Sequence, residues 1–195
     1  FWTQDEFQAF LECVADKPIS YYAFEMLYWT GIREGELLAL TPADFKFEKK
    51  TLRINKSYQR LEGKDVITDP KTPKSNRTIV MPDFLAVEME DFISSLYGIR
   101  DDDRIFTISK SYLHHEMDRG AKLAGVKRIR IHGLRHSHIS LLINLGFSAL
   151  AIGERVGHEA VDITYHYAHL FPTVQTDMAA QLETEREALV NVRKE

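Results

Sequence analysis

The stretch FKFEKKTLRINKSYQRLEGKDVITDPKTPKSNRTIVM, residues 45–81, decides the fold class of this 195-residue chain. Its apolar positions, Phe45, Phe47, Leu52, Ile54, Tyr58, Val66, Ile67, Ile79 and Val80, fall in short β-prone runs. Lys, Gly and Pro break those runs, and turns are expected near Glu48–Lys50, Glu62–Lys64 and Pro70–Asn76. The stretch therefore reads as one small antiparallel sheet or hairpin insert.

On both sides the period becomes helical. Upstream, Thr3-Gln4-Asp5-Glu6 is a capping box, followed at helical spacing by Phe7, Phe10, Leu11 and Val14. A second helix is expected from Ile19 to Trp29, ended by Gly31, and a short third from Glu34 to Leu40, stopped by Thr41-Pro42. Downstream, helices are expected over 83–97, 111–124, 133–145, 148–156, about 162–169 and 175–191, with Gly98, Gly125 and Gly146 at their ends. The fold class is α+β, mainly α: one compact helical domain with a sheet insert at about residues 45–81.

Composition excludes several classes. Hydrophobic residues at 44% and charged residues at 28% rule out global disorder. The single cysteine, Cys13, rules out an internal disulfide and fits a reducing compartment. No apolar run approaches the ~18 residues of a membrane span, and no signal peptide is visible.

Net charge is −4, which at face value argues against a nucleic-acid partner. Its distribution says otherwise. Residues 46–77 hold 10 bases against 4 acids, and residues 104–135 hold 8 against 2. The start, middle and end of the chain are acidic. The expectation is one basic face built from two distant segments, with the acidic blocks turned outward.

Five local signals carry chemistry. Thr30-Gly31-Ile32-Arg33-Glu34-Gly35-Glu36 would push Arg33 out from a helix end, with Glu36 fixing its side chain. Asp69-Pro70-Lys71-Thr72-Pro73-Lys74-Ser75-Asn76-Arg77 is a basic turn between β-prone runs. His132-Gly133-Leu134-Arg135 sets an imidazole and a guanidinium at a helix start, a fair phosphate cradle. Val156-Gly157-His158 is followed nine residues later by Tyr167, and tyrosine can act as a covalent nucleophile. All eight histidines lie between residues 114 and 169, and His132 and His136 are spaced like two zinc ligands. No Cys pair or second His at the HExxH position supports a metal, so none is expected.

Taken in order, Arg33, Lys71, His132, Arg135, His158 and Tyr167 resemble the catalytic set of the tyrosine recombinase (phage integrase) family. The likeness runs from Phe1-Trp2-Thr3 to Tyr167-x-His169, in the flavour of integrases from Gram-positive phages and conjugative transposons. The resemblance implies a catalytic domain over 1–172 and a C-terminal helix over 173–195 that packs in place or docks on a neighbouring protomer. It also implies that an amino-terminal core-binding domain is absent from this chain. The activity implied is site-specific DNA recombination through a 3′-phosphotyrosine, for integration or excision of a mobile element, without metal, ATP or other cofactor.

In that scheme Tyr167 attacks, Arg33 and Arg135 bind the phosphate bidentately, His132 helps take the proton, and His158 donates to a phosphate oxygen. Lys71 is the candidate general acid, ahead of Lys74, and Glu36 is structural. Tyr165 is a rival nucleophile that lies roughly 200° round a helix from Tyr167. The partners implied are double-stranded DNA, a homo-tetramer on synapsed DNA with the free fragment monomeric, and an accessory DNA-bending protein. No membrane partner is expected, and the implied location is the bacterial cytoplasm at the nucleoid. A type IB topoisomerase-like activity and a catalytically silent DNA-binding regulator are the alternatives.

Overall fold

The computed structural model describes residues 1–70, 72–158 and 160–167, with positions 179–180, 182–184 and 186, which are helical. The expected helix over 175–191 otherwise lies outside the described residues, as do Lys71 and His169. Three helices open the chain: α1 (Gln4–Val14), α2 (Pro18–Thr30) and α3 (Glu34–Ala39). The capping box forms as read. The Thr3 amide donates to Glu6 Oε2 at 2.8 Å, and the Glu6 amide donates to Thr3 Oγ1 at 3.3 Å. Most of α2 is buried, including Ala23, Phe24, Met26, Leu27 and Tyr28, so it forms the central rod of the molecule. Phe7 of α1 stacks on Tyr28 with centroids 3.8 Å apart.

The β-prone stretch forms five strands: β1 (Phe45–Lys46), β2 (Thr51–Ile54), β3 (Ser57–Leu61), β4 (Lys64–Thr68) and β5 (Arg77–Val80). They divide into two units rather than one sheet. Strands β1, β2 and β5 make a three-stranded antiparallel sheet, and β3 pairs with β4 alone. The hairpin turns through Glu62 (φ 49°) and Gly63 (φ 78°), two left-handed residues that suit a tight two-residue connection. In the larger sheet Leu52, Ile54, Arg77 and Ile79 all face inward, so a guanidinium enters a row of apolar side chains.

Five further helices follow: α4 (Asp83–Ser95), α5 (Lys110–Ala124), α6 (Ile131–Asn144), α7 (Ala149–Val156) and α8 (Ala160–Tyr167). Helix α5 crosses α1 closely because Gly120 has no side chain; a Cβ there would lie 2.5 Å from Phe10. Two apolar clusters result. The larger joins α1–α5, the three-stranded sheet and the first turn of α6. The smaller contains Ile139 and Ile143 of α6, Ile152 and Val156 of α7, and Ile163 and Tyr167 of α8. Helix α6 belongs to both.

Arginines close the seam between the clusters. Arg155 donates to the carbonyls of Val80 and Trp29 at 3.0 and 3.2 Å, and to His138 Nε2 at 3.1 Å. Among the described residues, no helix is long and apolar enough to cross a membrane.

Candidate active site

The site begins where α2 stops. Gly31, at φ 65°, ends α2 with its N–H donating a hydrogen bond to the Leu27 carbonyl, and the chain turns so that Arg33 becomes the N-cap of α3. Arg33 then points into a groove with Nη1 2.9 Å from Glu36 Oε1 and 3.4 Å from Ser75 Oγ. Glu36 is buried and accepts from four groups. These are the Arg33 amide at 2.9 Å, Arg33 Nη1, and Arg77 Nη1 and Nη2 at 3.1 and 3.0 Å. Burial alone would raise its pKa. The bonds and charge of Arg77, then the Arg33 amide and charge, outweigh burial and hold the carboxyl below its ordinary value.

Arg135 sits one turn beyond His132 on α6 and is 1% exposed. Its Nη1 donates to the Gly31 carbonyl at 2.5 Å and its Nη2 to the Val156 carbonyl, so it spans both clusters. Its Nε is buried without a partner among the described residues. No carboxylate pairs with it there. Burial, then Arg33, lowers its pKa to about 9, with Arg77 adding to the effect and Glu36 and Tyr167 opposing it. A cation buried without a counter-charge is a site that favours an anion.

Both candidate histidines feel the same surroundings. His132 has a pKa lowered to about 4 by desolvation, then His136, Arg135 and Arg33, although part of its surface meets solvent. His158 follows α7, its amide bonded to the Gly153 carbonyl at 2.9 Å. Its pKa is also lowered to about 4, by desolvation, Arg135 and Arg33, with His132 contributing and Asp162 opposing. Four of the six predicted site residues, Arg33, His132, Arg135 and His158, therefore gather around one spot. Neutral imidazoles there can accept or donate a proton.

Tyr167 is the last described residue of α8 and is 7% exposed, whereas Tyr165 is 82% exposed. Desolvation pushes the Tyr167 phenol up to about 12, and Arg135 acts in the opposite direction. Its hydroxyl is hydrogen-bonded to His136 Nδ1 rather than to His132. Lys71 lies outside the described residues. Its neighbours Pro70 and Thr72 line the groove that holds Arg33 and His132.

That groove has a volume of about 700 Å³. Lys56 and Arg60 line it from the first basic stretch, and Ser109, Lys110, Ser111 and His132 from the second, so both stretches meet on one side of the molecule as expected. Arg77 and His136 escaped the sequence reading as site residues. An inward strand position occupied by Arg is the signal for Arg77. His136 has the four-residue spacing from His132, which the sequence reading considered only for zinc. Among the described residues, no three His, Cys, Asp or Glu are placed to hold a metal ion.

The phage integrase family profile matches residues 1–173. The ICEBs1 integrase of Bacillus subtilis (strain 168) is 31% identical, over 94% of this chain and 54% of its own length. The integrase of Staphylococcus phage L54a is 29% identical, over 83% of this chain and 51% of its own. Thus the chain spans about half the length of these curated relatives. Among solved structures, the Tn1549 transposon integrase in complex with a circular intermediate DNA superposes with a TM-score of 0.77 at 22% identity. That match covers 95% of this chain and 65% of that one. The catalytic domain of bacteriophage HP1 integrase superposes with a TM-score of 0.64 at 20% identity, covering 93% of both chains. With the profile matching nearly nine-tenths of its length, residues 1–173 of 195, the chain belongs to the phage integrase family.

Proposed function

We propose that this chain is the catalytic part of a site-specific DNA recombinase that integrates or excises a mobile element. Tyr167 attacks a backbone phosphorus, the tyrosyl O–P bond forms, and the bond to the 5′-oxygen breaks. The products are a 3′-phosphotyrosine and a 5′-hydroxyl. The reverse attack by a partner strand reseals the DNA. One phosphodiester replaces another at each step, so neither nucleotide nor metal is required.

The observation that carries the reading is Arg135, buried, without a carboxylate partner among the described residues, and electrostatically coupled to Arg33, His158 and Tyr167. In cleavage the phosphate gathers charge on its non-bridging oxygens, and fixed guanidinium donors are suited to it. His132 and His158, both neutral near pH 7, complete the cradle. Lys71 is the candidate donor of the proton to the 5′-oxygen. The groove running past Lys56, Arg60 and Lys110 is the proposed track of the DNA backbone. Solved integrases of the same fold, in complex with DNA, support that partner. Tetrameric synapsis, docking of the 173–195 tail on a neighbour, an accessory bending protein and a cytoplasmic location at the nucleoid belong to the same proposal.

A nicked suicide duplex tests it. The wild-type chain should form a covalent protein–DNA band, and Tyr167→Phe should abolish it. A band lost in Tyr165→Phe and kept in Tyr167→Phe would refute the assignment. Relaxation of supercoiled DNA lacking any recombination site would favour the topoisomerase reading, and absence of any band the silent regulator.

A further inference from the structure

The phosphate side of the site engages Arg33, Arg135, His132 and His158, which leaves the surroundings of the nucleophile unassigned. His136 occupies them. It lies one turn beyond His132 on α6, and the two rings meet edge to face with centroids 5.0 Å apart. On its other side its ring centroid is 5.8 Å from that of Tyr167. Its Nδ1 takes part in a hydrogen bond with the Tyr167 hydroxyl.

Tyr167 also packs with the apolar Ile139, Ile143, Ile152, Val156 and Ile163. Such side chains hold the ring but give no direction to its hydroxyl, whose hydrogen bond among the described residues is the one to His136. Burial, the Phe1 amino group, Arg135 and His166 all disfavour the imidazolium, so a neutral ring is favoured, and in either tautomer its Nδ1 can bond to the hydroxyl.

We propose that His136 is a positioning residue for strand cleavage: wedged between His132 and Tyr167, its ring aims the Tyr167 hydroxyl at the phosphate held by Arg135. The proposal rests on Tyr167 being the nucleophile. His136 acts through that tyrosine and does not touch DNA. Its loss should therefore slow cleavage at saturating DNA and leave DNA affinity alone.

The experiment measures single-turnover cleavage of a nicked suicide duplex, and duplex affinity by fluorescence anisotropy, for the full chain and three variants. His136→Ala should cleave at least about tenfold more slowly, as a nucleophile misplaced by a fraction of an ångström would, with affinity unchanged. His136→Asn keeps an acceptor near the Nδ1 position and should recover most of that loss. Wild-type or faster cleavage by His136→Ala overturns the proposal, as does failure of Asn to rescue, since the loss would then come from packing. A covalent band that survives Tyr167→Phe removes the nucleophile assignment and this proposal together. A band lost in Tyr167→Phe but unaffected at His136 removes the positioning role alone. Should His136→Ala fail to fold, ¹⁵N-histidine NMR of the wild-type chain and Tyr167→Phe decides the matter. The His136 Nδ1 resonance should move when the hydroxyl is deleted, and an unmoved resonance overturns the proposal.

Discussion

Glu36 is the group whose removal should reach furthest from stability into function. Its carboxylate accepts from the Arg33 amide, from Arg33 Nη1 and from both terminal nitrogens of Arg77. The side chains of Glu36 and Arg77 are each 6% exposed, so water replaces neither partner easily. Glu36→Gln keeps the shape and removes the charge. Among the described residues Arg77 then remains a buried cation bonded to neutral oxygens alone, the new side-chain amide oxygen and the Arg155 and Ser75 carbonyls, at 2.8 and 3.0 Å for the two carbonyls.

Breaking one side of a buried pair typically costs about 3–5 kcal/mol. Against a total stability of about 5–15 kcal/mol, that is a large share. Urea denaturation of Glu36→Gln should show a loss in this range, and cleavage of a suicide duplex below the denaturation midpoint should fall because Arg33 loses its brace. Arg77→Met alone should also destabilise. The double variant should cost markedly less than the two singles together, because the fully buried half of the cluster no longer leaves one charge facing an absent partner. Strict additivity would refute the reasoning, as would a Glu36→Gln protein as stable as wild type.

Three further predictions follow from other parts of the structure. Glu25 is 5% exposed, with one oxygen unpartnered, and desolvation followed by Glu88 raises its pKa from 4.5 to about 7. A raised carboxyl binds protons more tightly when folded, so stability falls as pH rises from about 4.5 to about 7 and stays lower above. Glu25→Gln should therefore raise stability at pH 8 by up to about 3 kcal/mol and leave pH 4 nearly unchanged, as read by urea midpoints; equal effects at both pH values would refute this. Gly31→Ala places a Cβ 2.5 Å from His138 Cδ2 at a left-handed φ of 65°, and should cost about 2–4 kcal/mol while displacing the carbonyl that anchors Arg135. Wild-type thermal stability would count against it. Lys110→Gln, on the groove rim, should weaken duplex binding and reduce the slope of log affinity against log salt by about one; an unchanged slope would take Lys110 off the DNA track.

Much of the fold was legible because its punctuation is local. The Thr3 and Glu6 capping box, the Gly31 and Gly125 helix ends and the loss of helical period at Phe45 each act within a few residues. The expected ends at Gly98 and Gly146 lie a few residues past the observed last helical residues, Ser95 and Asn144. The division into two β-units was not legible. Periodicity marks strands but not partners, and β2 pairs with β5 across 22 intervening residues while β3 and β4 pair with each other. Charge blocks found the groove because local clustering carries over into the fold, whereas net charge cancels blocks of opposite sign. The bonds Arg77–Glu36, Arg135–Gly31 and His136–Tyr167 were hidden because they join residues 31–104 positions apart. A sequence shows which groups are present at a site; tertiary packing decides which of them face one another.

The seam between the two apolar clusters bears on how such a catalytic centre can be retuned. Interlocked apolar side chains couple neighbouring elements tightly, because any change of volume is felt on both sides. Here the junction is made largely of long guanidinium arms reaching main-chain carbonyls: Arg135 to Gly31 and Val156, Arg77 to Arg155, Arg155 to Val80 and Trp29. Carbonyls are present whatever the side chain, so these links survive substitution of the residues they grip. Ile139, Ile143, Ile152, Val156 and Ile163 can then vary in size and shift the seat of Tyr167 while the larger core stays as it is. The unit that seats Tyr167 is thereby free to drift in sequence at a rate of its own.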